Sequence, residues 1–149
     1  MSSSSSAFDD VRALYNDSIR RHGRTPAHSG PLPDFDGQAR GSNPMCGDRV
    51  DVYVRRDGGR IVAAGFDARG CEVSIASADL MCEVVAGVPI DHIKAMADDV
   101  AALAASGVCA ACDDRLLAFS AVHEFPSRTR CVTLPWSALV AALQESGRE

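Results

Sequence analysis

A β-hairpin followed by nothing but helical patterns confines this fold more tightly than any other feature of the chain. Val50, Val52 and Val54 alternate with Asp51, Tyr53 and Arg55, the period-two pattern of a strand with one buried face. Asp57-Gly58-Gly59 is a turn signal, and Ile61 to Phe66 supplies the returning strand, so the two pair antiparallel. After Gly70-Cys71, small and apolar residues run to Val85, Ala86 and Gly87, which predicts a buried helix closed by glycine. A second helical pattern covers residues 90–105 through Ile93, Met96, Val100 and Leu103, and Gly107 stops it. A short helix is expected at Leu116, Leu117 and Phe119, and a last one at Trp136, Leu139, Val140 and Leu143.

Upstream of the hairpin, Phe8, Val11, Leu14, Tyr15 and Ile19 follow helical spacing. Arg20, Arg21 and Arg24 lie toward the C-terminal end of that helix, where positive charge suits the dipole. The stretch from 25 to 45 is rich in proline and glycine, and little regular structure is expected there beyond a short edge strand near Phe35. Strands first and helices afterwards make an α+β domain: a small antiparallel sheet of two or three strands packed against about five helices. We expect a flexible tail over 1–6, one domain over 7–145 and a C-terminal tail over 146–149. There is no internal repeat.

At 149 residues, 46% hydrophobic and 23% charged, the chain can bury a core without disulfides. Its net charge of -5 argues against a nucleic-acid partner, which calls for a basic footprint. No apolar run reaches membrane-spanning length, so no membrane partner is expected. The serine run before Ala7 lacks the basic flank and apolar stretch of a secretory signal, and a cytoplasmic location is expected. The six cysteines (Cys46, Cys71, Cys82, Cys109, Cys112, Cys131) would then be reduced, free to bind metal, carry sulfur or pack.

Cys46 and Asp48 flank Gly47, whose backbone freedom lets a thiolate and a carboxylate turn toward one ion. Cys71 falls where a strand ends and a helix begins, and amides at a helix start favour the thiolate. Cys131 would complete three sulfurs and one oxygen, a set that suits zinc. The carboxylate is the harder donor, so that bond is expected to tune the site more than anchor it. By spacing alone the three cysteines match no standard finger, and scattered core thiols remain the competing reading.

Three ordered motifs add a resemblance. Asn43-Pro44-x-Cys46-Gly47-Asp48, Gly70-Cys71-x-x-Ser74-x-Ala76-Ser77 and Phe125-Pro126-Ser127-Arg128-Thr129-Arg130-Cys131-Val132-Thr133-Leu134 with Trp136 resemble the signatures of the IscU/NifU family of iron–sulfur cluster assembly proteins. Leu14-Tyr15 through His22 is similar to that family's opening helix. The long gap between Cys71 and Cys131, and Arg130 where scaffold members carry histidine, resemble its SufU branch. The resemblance implies zinc held by Cys46, Asp48, Cys71 and Cys131. It implies a pyridoxal-phosphate cysteine desulfurase as partner, which takes over one zinc bond and frees Cys46 to accept persulfide sulfur, and downstream assembly proteins as recipients. The activity would be at most that of a sulfurtransferase. A scaffold for a transient iron–sulfur cluster is the alternative within the pathway.

Other residues carry blander expectations. Cys109-Ala110-Ala111-Cys112 suggests a thiol oxidoreductase or a metal clip, but it has neither a second pair nor a βαβ context, and two thiols in an insertion helix are expected. Cys82 shares a helical face with Ile75, Ala78 and Val85 and should pack in the core. His123 is expected to cap or face solvent, and His22, His28 and His92 have no ligand-like context. Arg128 and Arg130 either contact a partner or substrate carboxylate or are solvated. Pro135 removes a donor and clashes with the preceding turn, so the last helix is expected to restart near it and to shift Cys131.

Overall fold

The structure, a computed structural model, describes residues 16–44 and 47–146. Three strands form one antiparallel sheet in the order β1 (Gly37–Asn43), β2 (Asp48–Asp57) and β3 (Arg60–Arg69). The hairpin is the expected one. Gly58 and Gly59 turn it with φ of 61° and 81°, the left-handed pair that a tight two-residue turn needs. The edge strand runs from Gly37 to Asn43 and excludes Phe35, so it is longer and later than expected. Cross-strand bonds to β2 override the proline- and glycine-rich composition there. Phe35 instead packs edge-on against Tyr53.

Val50, Val52 and Val54 are fully buried on one face of β2, as alternation demands. Helix α2 (Glu72–Val85) covers that face beside β3, and α4 (Thr129–Ser146) crosses β1 and β2. The α4 crossing is close: a side chain at Gly41 would meet Leu134 Cδ1 at 3.0 Å. Helix α1 (Asp17–Arg24), N-capped by the Asn16 side chain, packs on α2. Helix α3 (Ile93–Ser106) packs on α4 and ends at Gly107 in the left-handed conformation, the usual glycine cap. A long 3-10 helix over Asp114–Glu124 and a short one over Pro126–Arg128 lead into α4. The fold is therefore α+β, with a three-stranded antiparallel sheet as expected. The expected helix over residues 8–15 lies outside the described residues.

Two expectations fail here. Cys109 and Cys112 lie in the loop between α3 and the long 3-10 helix, not in a helix. And α4 continues through Pro135 without a restart. Proline costs the helix one bond, to the Cys131 carbonyl four residues back, but the flanking face is held by burial. Cys131, Val132, Trp136 and Leu139 are each 1% exposed or less. Ser77 on α2 adds a buried 2.6 Å hydrogen bond to the Val132 carbonyl.

Candidate metal centre

Three of the four expected ligands meet where β2 begins, α2 begins and α4 begins. Asp48 opens β2 on the same inward face as Val50 and is 3% exposed. Cys71 is the N-cap residue of α2 and is half-buried. Cys131 is the third residue of α4 and fully buried. Their ligand atoms all lie within 4.8 Å of one another. Asp48 Oδ2 lies 3.1 Å from Cys131 Sγ and 3.9 Å from Cys71 Sγ. Asp48 Oδ1 is turned away and accepts from the Cys71 backbone N–H at 3.4 Å. Cys46 lies outside the described residues. Gly47, between Cys46 and Asp48, has φ of 75° and donates its N–H to the Asn43 carbonyl, so the chain turns back at this point, as glycine permits.

The thiols divide one proton. Cys131 is pushed far up by Cys71, by burial and by Asp48, so it stays protonated and donates. Cys71 is lowered to about 6, chiefly by the hydrogen bond from Cys131, with help from the Ser74 amide and the nearby Arg128 guanidinium, against the opposing effects of burial and Asp48. A thiol, a thiolate and a carboxylate in contact make a natural cation site. Zinc bonds of about 2.3 Å to sulfur and 2.0 Å to oxygen place neighbouring tetrahedral ligands roughly 3.5–4 Å apart, close to the separations seen here. The donor set fits zinc.

Arg128 is half-buried and Arg130 exposed, one on either side of Thr129 at the start of α4. His123 is exposed and bonded to the Ser120 carbonyl at 2.7 Å, the capping role expected for it. Cys82 is 2% exposed in the core, also as expected. Burial first, and the adjacent Asp79 and Glu83, raise its thiol well above the usual range.

His22 departs from expectation. It is 5% exposed, and its Nδ1 lies 2.6 Å from Asp79 Oδ2, while Asp79 Oδ1 accepts from the His28 backbone N–H at 2.8 Å. With Glu83 these groups could also surround a cation. The Arg21 guanidinium, 3.3 Å from His22 Nε2, and Arg115, 3.7 Å from Glu83, already supply the positive charge. The cluster is a clip between α1 and α2. Nothing in a sequence separation of 57 residues announces such a pair.

An antiparallel three-stranded sheet, backed by helices and carrying a largely buried Asp–Cys–Cys cluster at one end, defines a small α+β domain with a candidate thiolate metal site. Comparison with known proteins makes the class specific. Residues 14–144 match the NifU-like N terminal domain, and the chain belongs to that family of iron–sulfur cluster assembly proteins. It is 31% identical over 135 residues to the zinc-dependent sulfurtransferase SufU of Bacillus subtilis, covering 87% of this chain and 89% of that one. It is 31% identical over 144 residues to the iron–sulfur cluster assembly scaffold protein IscU of Streptococcus pyogenes, covering 94% and 89%. A crystal structure of a putative assembly scaffold for the SUF system from Fervidobacterium islandicum superposes with a TM-score of 0.77 at 27% identity, over 89% of this chain and 98% of that one. Among the described residues, no helix is long and apolar enough to cross a membrane.

Proposed function

We propose that this protein is a zinc-dependent sulfur acceptor, which receives persulfide sulfur from a cysteine desulfurase and passes it on for cluster assembly. The observation that carries the reading is the convergence of buried Asp48, half-buried Cys71 and buried Cys131 at one point, with Asp48 two residues along the chain from Cys46. Asp48, Cys71, Cys131 and Cys46 would hold the ion, and zinc would keep the thiolates deprotonated without oxidising them. Asp48 presents one oxygen to the site while the Cys71 amide holds the other. Arg128, at the rim, favours negative charge on Cys71. The acceptor is Cys46, on the strength of the family resemblance. Its thiolate attacks the outer sulfur of the donor's persulfide, forming a Cys46 persulfide and returning the donor cysteine as thiolate. Arg128 and Arg130 are the residues proposed to meet the donor surface. The partner's class follows from the chemistry: a persulfide donor made by pyridoxal-phosphate desulfuration of cysteine.

Against a thiol oxidoreductase stands the setting of Cys109 and Cys112, which lie in the loop after α3 and not at the start of a helix within a βαβ unit. The Cys112 thiol is pushed up to about 12 by burial first, then by Cys109, Asp99 and Asp113.

The test combines metal analysis with desulfurase turnover. Protein purified without added metal should carry near-stoichiometric zinc, and chelation should lower its melting temperature, because a ligand bound only by the folded state stabilises it. Adding the protein should raise desulfurase turnover and place persulfide on Cys46, and Cys46→Ala should abolish both effects. Sulfur mapped to Cys131 with Cys46→Ala still active would overturn the acceptor assignment. A stable bound cluster without any stimulation would instead favour the scaffold role named for the streptococcal relative.

A further inference from the structure

Gly70 precedes Cys71 without needing glycine's backbone. It is absent from the positive-φ glycines, which are Gly30, Gly47, Gly58, Gly59, Gly87 and Gly107, so its φ lies outside the left-handed region that favours glycine. What glycine supplies is space. A Cβ built at residue 70 would fall against Asp48 Oδ1, 2.8 Å from Asp48 Cγ and 3.3 Å from Asp48 Cβ. Sheet register explains the contact. Arg49 pairs with Arg69 across β2 and β3, so one step further Asp48 comes opposite Gly70, on the face that holds the thiols.

We propose that Gly70 is a positioning residue for the metal centre, kept free of a side chain so that the Asp48 carboxylate can lie across it, one oxygen on the Cys71 amide and the other at the two thiols. Asp48 is 3% exposed and has only two side-chain torsions. A methyl group at residue 70 leaves it no place beside Cys71 and Cys131, and the carboxylate must swing out or drag the start of β2 with it. Gly70→Ala therefore removes the oxygen donor without touching any donor atom. The proposal rests on Asp48 being a ligand for its metal consequence, but not for its steric one.

The experiment is a double-mutant cycle with Gly70→Ala, Asp48→Ala and both together, read in two ways. With zinc alone as probe, in competition with a chromophoric chelator, Gly70→Ala should weaken affinity by about 10–100-fold, the usual cost of losing support for a ligand. The double variant should match Asp48→Ala within about twofold, since the second change then has nothing left to displace. With metal-free protein, Gly70→Ala should lower the urea midpoint when Asp48 is present and leave it unchanged when combined with Asp48→Ala. If Gly70→Ala does not fold, the double variant should, and a double variant that also fails overturns the proposal. Wild-type zinc affinity and midpoint in Gly70→Ala overturn it too, as do losses that simply add. Coupling in urea without any effect of Asp48→Ala on zinc would refute the ligand role of Asp48 and leave the steric assignment standing.

Discussion

Replacing His22 by alanine tests whether the α1–α2 clip holds the fold together. Asp79 has no exposed surface, and its carboxylate is satisfied by two donors, His22 Nδ1 at 2.6 Å and the His28 N–H at 2.8 Å. A carboxylate only accepts, so the Nδ1 carries the proton. Truncation strands Oδ2 in a site that water does not reach and leaves a void the size of an imidazole. Leaving a buried acceptor without its donor costs about 1–3 kcal/mol, more when the group is charged. Glu83, 3.8 Å from the same nitrogen, adds like charge beside the stranded carboxylate, while Arg21 can readjust toward it, so about 3 kcal/mol is expected. For a chain of this size that lowers the melting temperature by about 6–12 °C. Urea unfolding or calorimetry on metal-free protein measures it without contribution from the metal centre. His22→Asn, whose amide can donate from near the Nδ1 position, should recover part of the loss. Asp79 lies eight residues along α2 from Cys71, about 12 Å of helix, so folded His22→Ala should bind zinc as the parent does. A loss below about 1 kcal/mol, or asparagine no better than alanine, would refute the reasoning.

Two other outcomes follow from the remaining thiols. Replacing Cys109 and Cys112 together with serine should leave zinc content and sulfur acceptance nearly unchanged, since both lie in the loop after α3 and neither belongs to the Asp48, Cys71 and Cys131 group. Metal analysis and persulfide mapping check this, and a large loss of either property would give the loop a role at the site. Cys82, raised by burial, should resist alkylation in native protein and react once urea unfolds the chain. Its folded thiol titrates above the unfolded value of about 8.5, so its contribution is fully present below that pH. Stability should fall as pH climbs past it, and Cys82→Ala should flatten that alkaline decline.

The hairpin, the helix after Cys71, the helix stopped by Gly107 and the core role of Cys82 are legible in the sequence because each depends on a local period or a capping residue. What local pattern cannot carry is a partner elsewhere in the chain. Strand β1 gains its order from pairing with β2 along its whole length, Gly37 opposite Val54 through Asn43 opposite Asp48, against its own composition. His22 finds Asp79 only after α1 folds onto α2. Pro135 misleads for the same reason: the propensity cost of proline is local, while the packing of Trp136, Ala138 and Leu139 that outweighs it comes from the rest of the fold.

The candidate centre turns on one such non-local detail, a bulge. Next to the turn, Asp57 faces Arg60 and Arg56 faces Ile61, but beyond the irregularity Arg55 faces Ala63, so Val62 is the extra residue, and it is 44% exposed. Continued without the bulge, the pairing would bring Arg69, not Gly70, opposite Asp48. A one-residue slip also reverses which side chains share a face. Asp48 would then meet a long cation across the strand, and the space that its carboxylate needs beside Cys71 would be filled. The three motifs name residues that can bind a metal. The bulge at Val62 sets the hairpin register that places a glycine, and after it a thiol at a helix start, beside the carboxylate. Alternation in the two strands reads well without revealing the bulge, because one inserted residue leaves the pattern intact on either side.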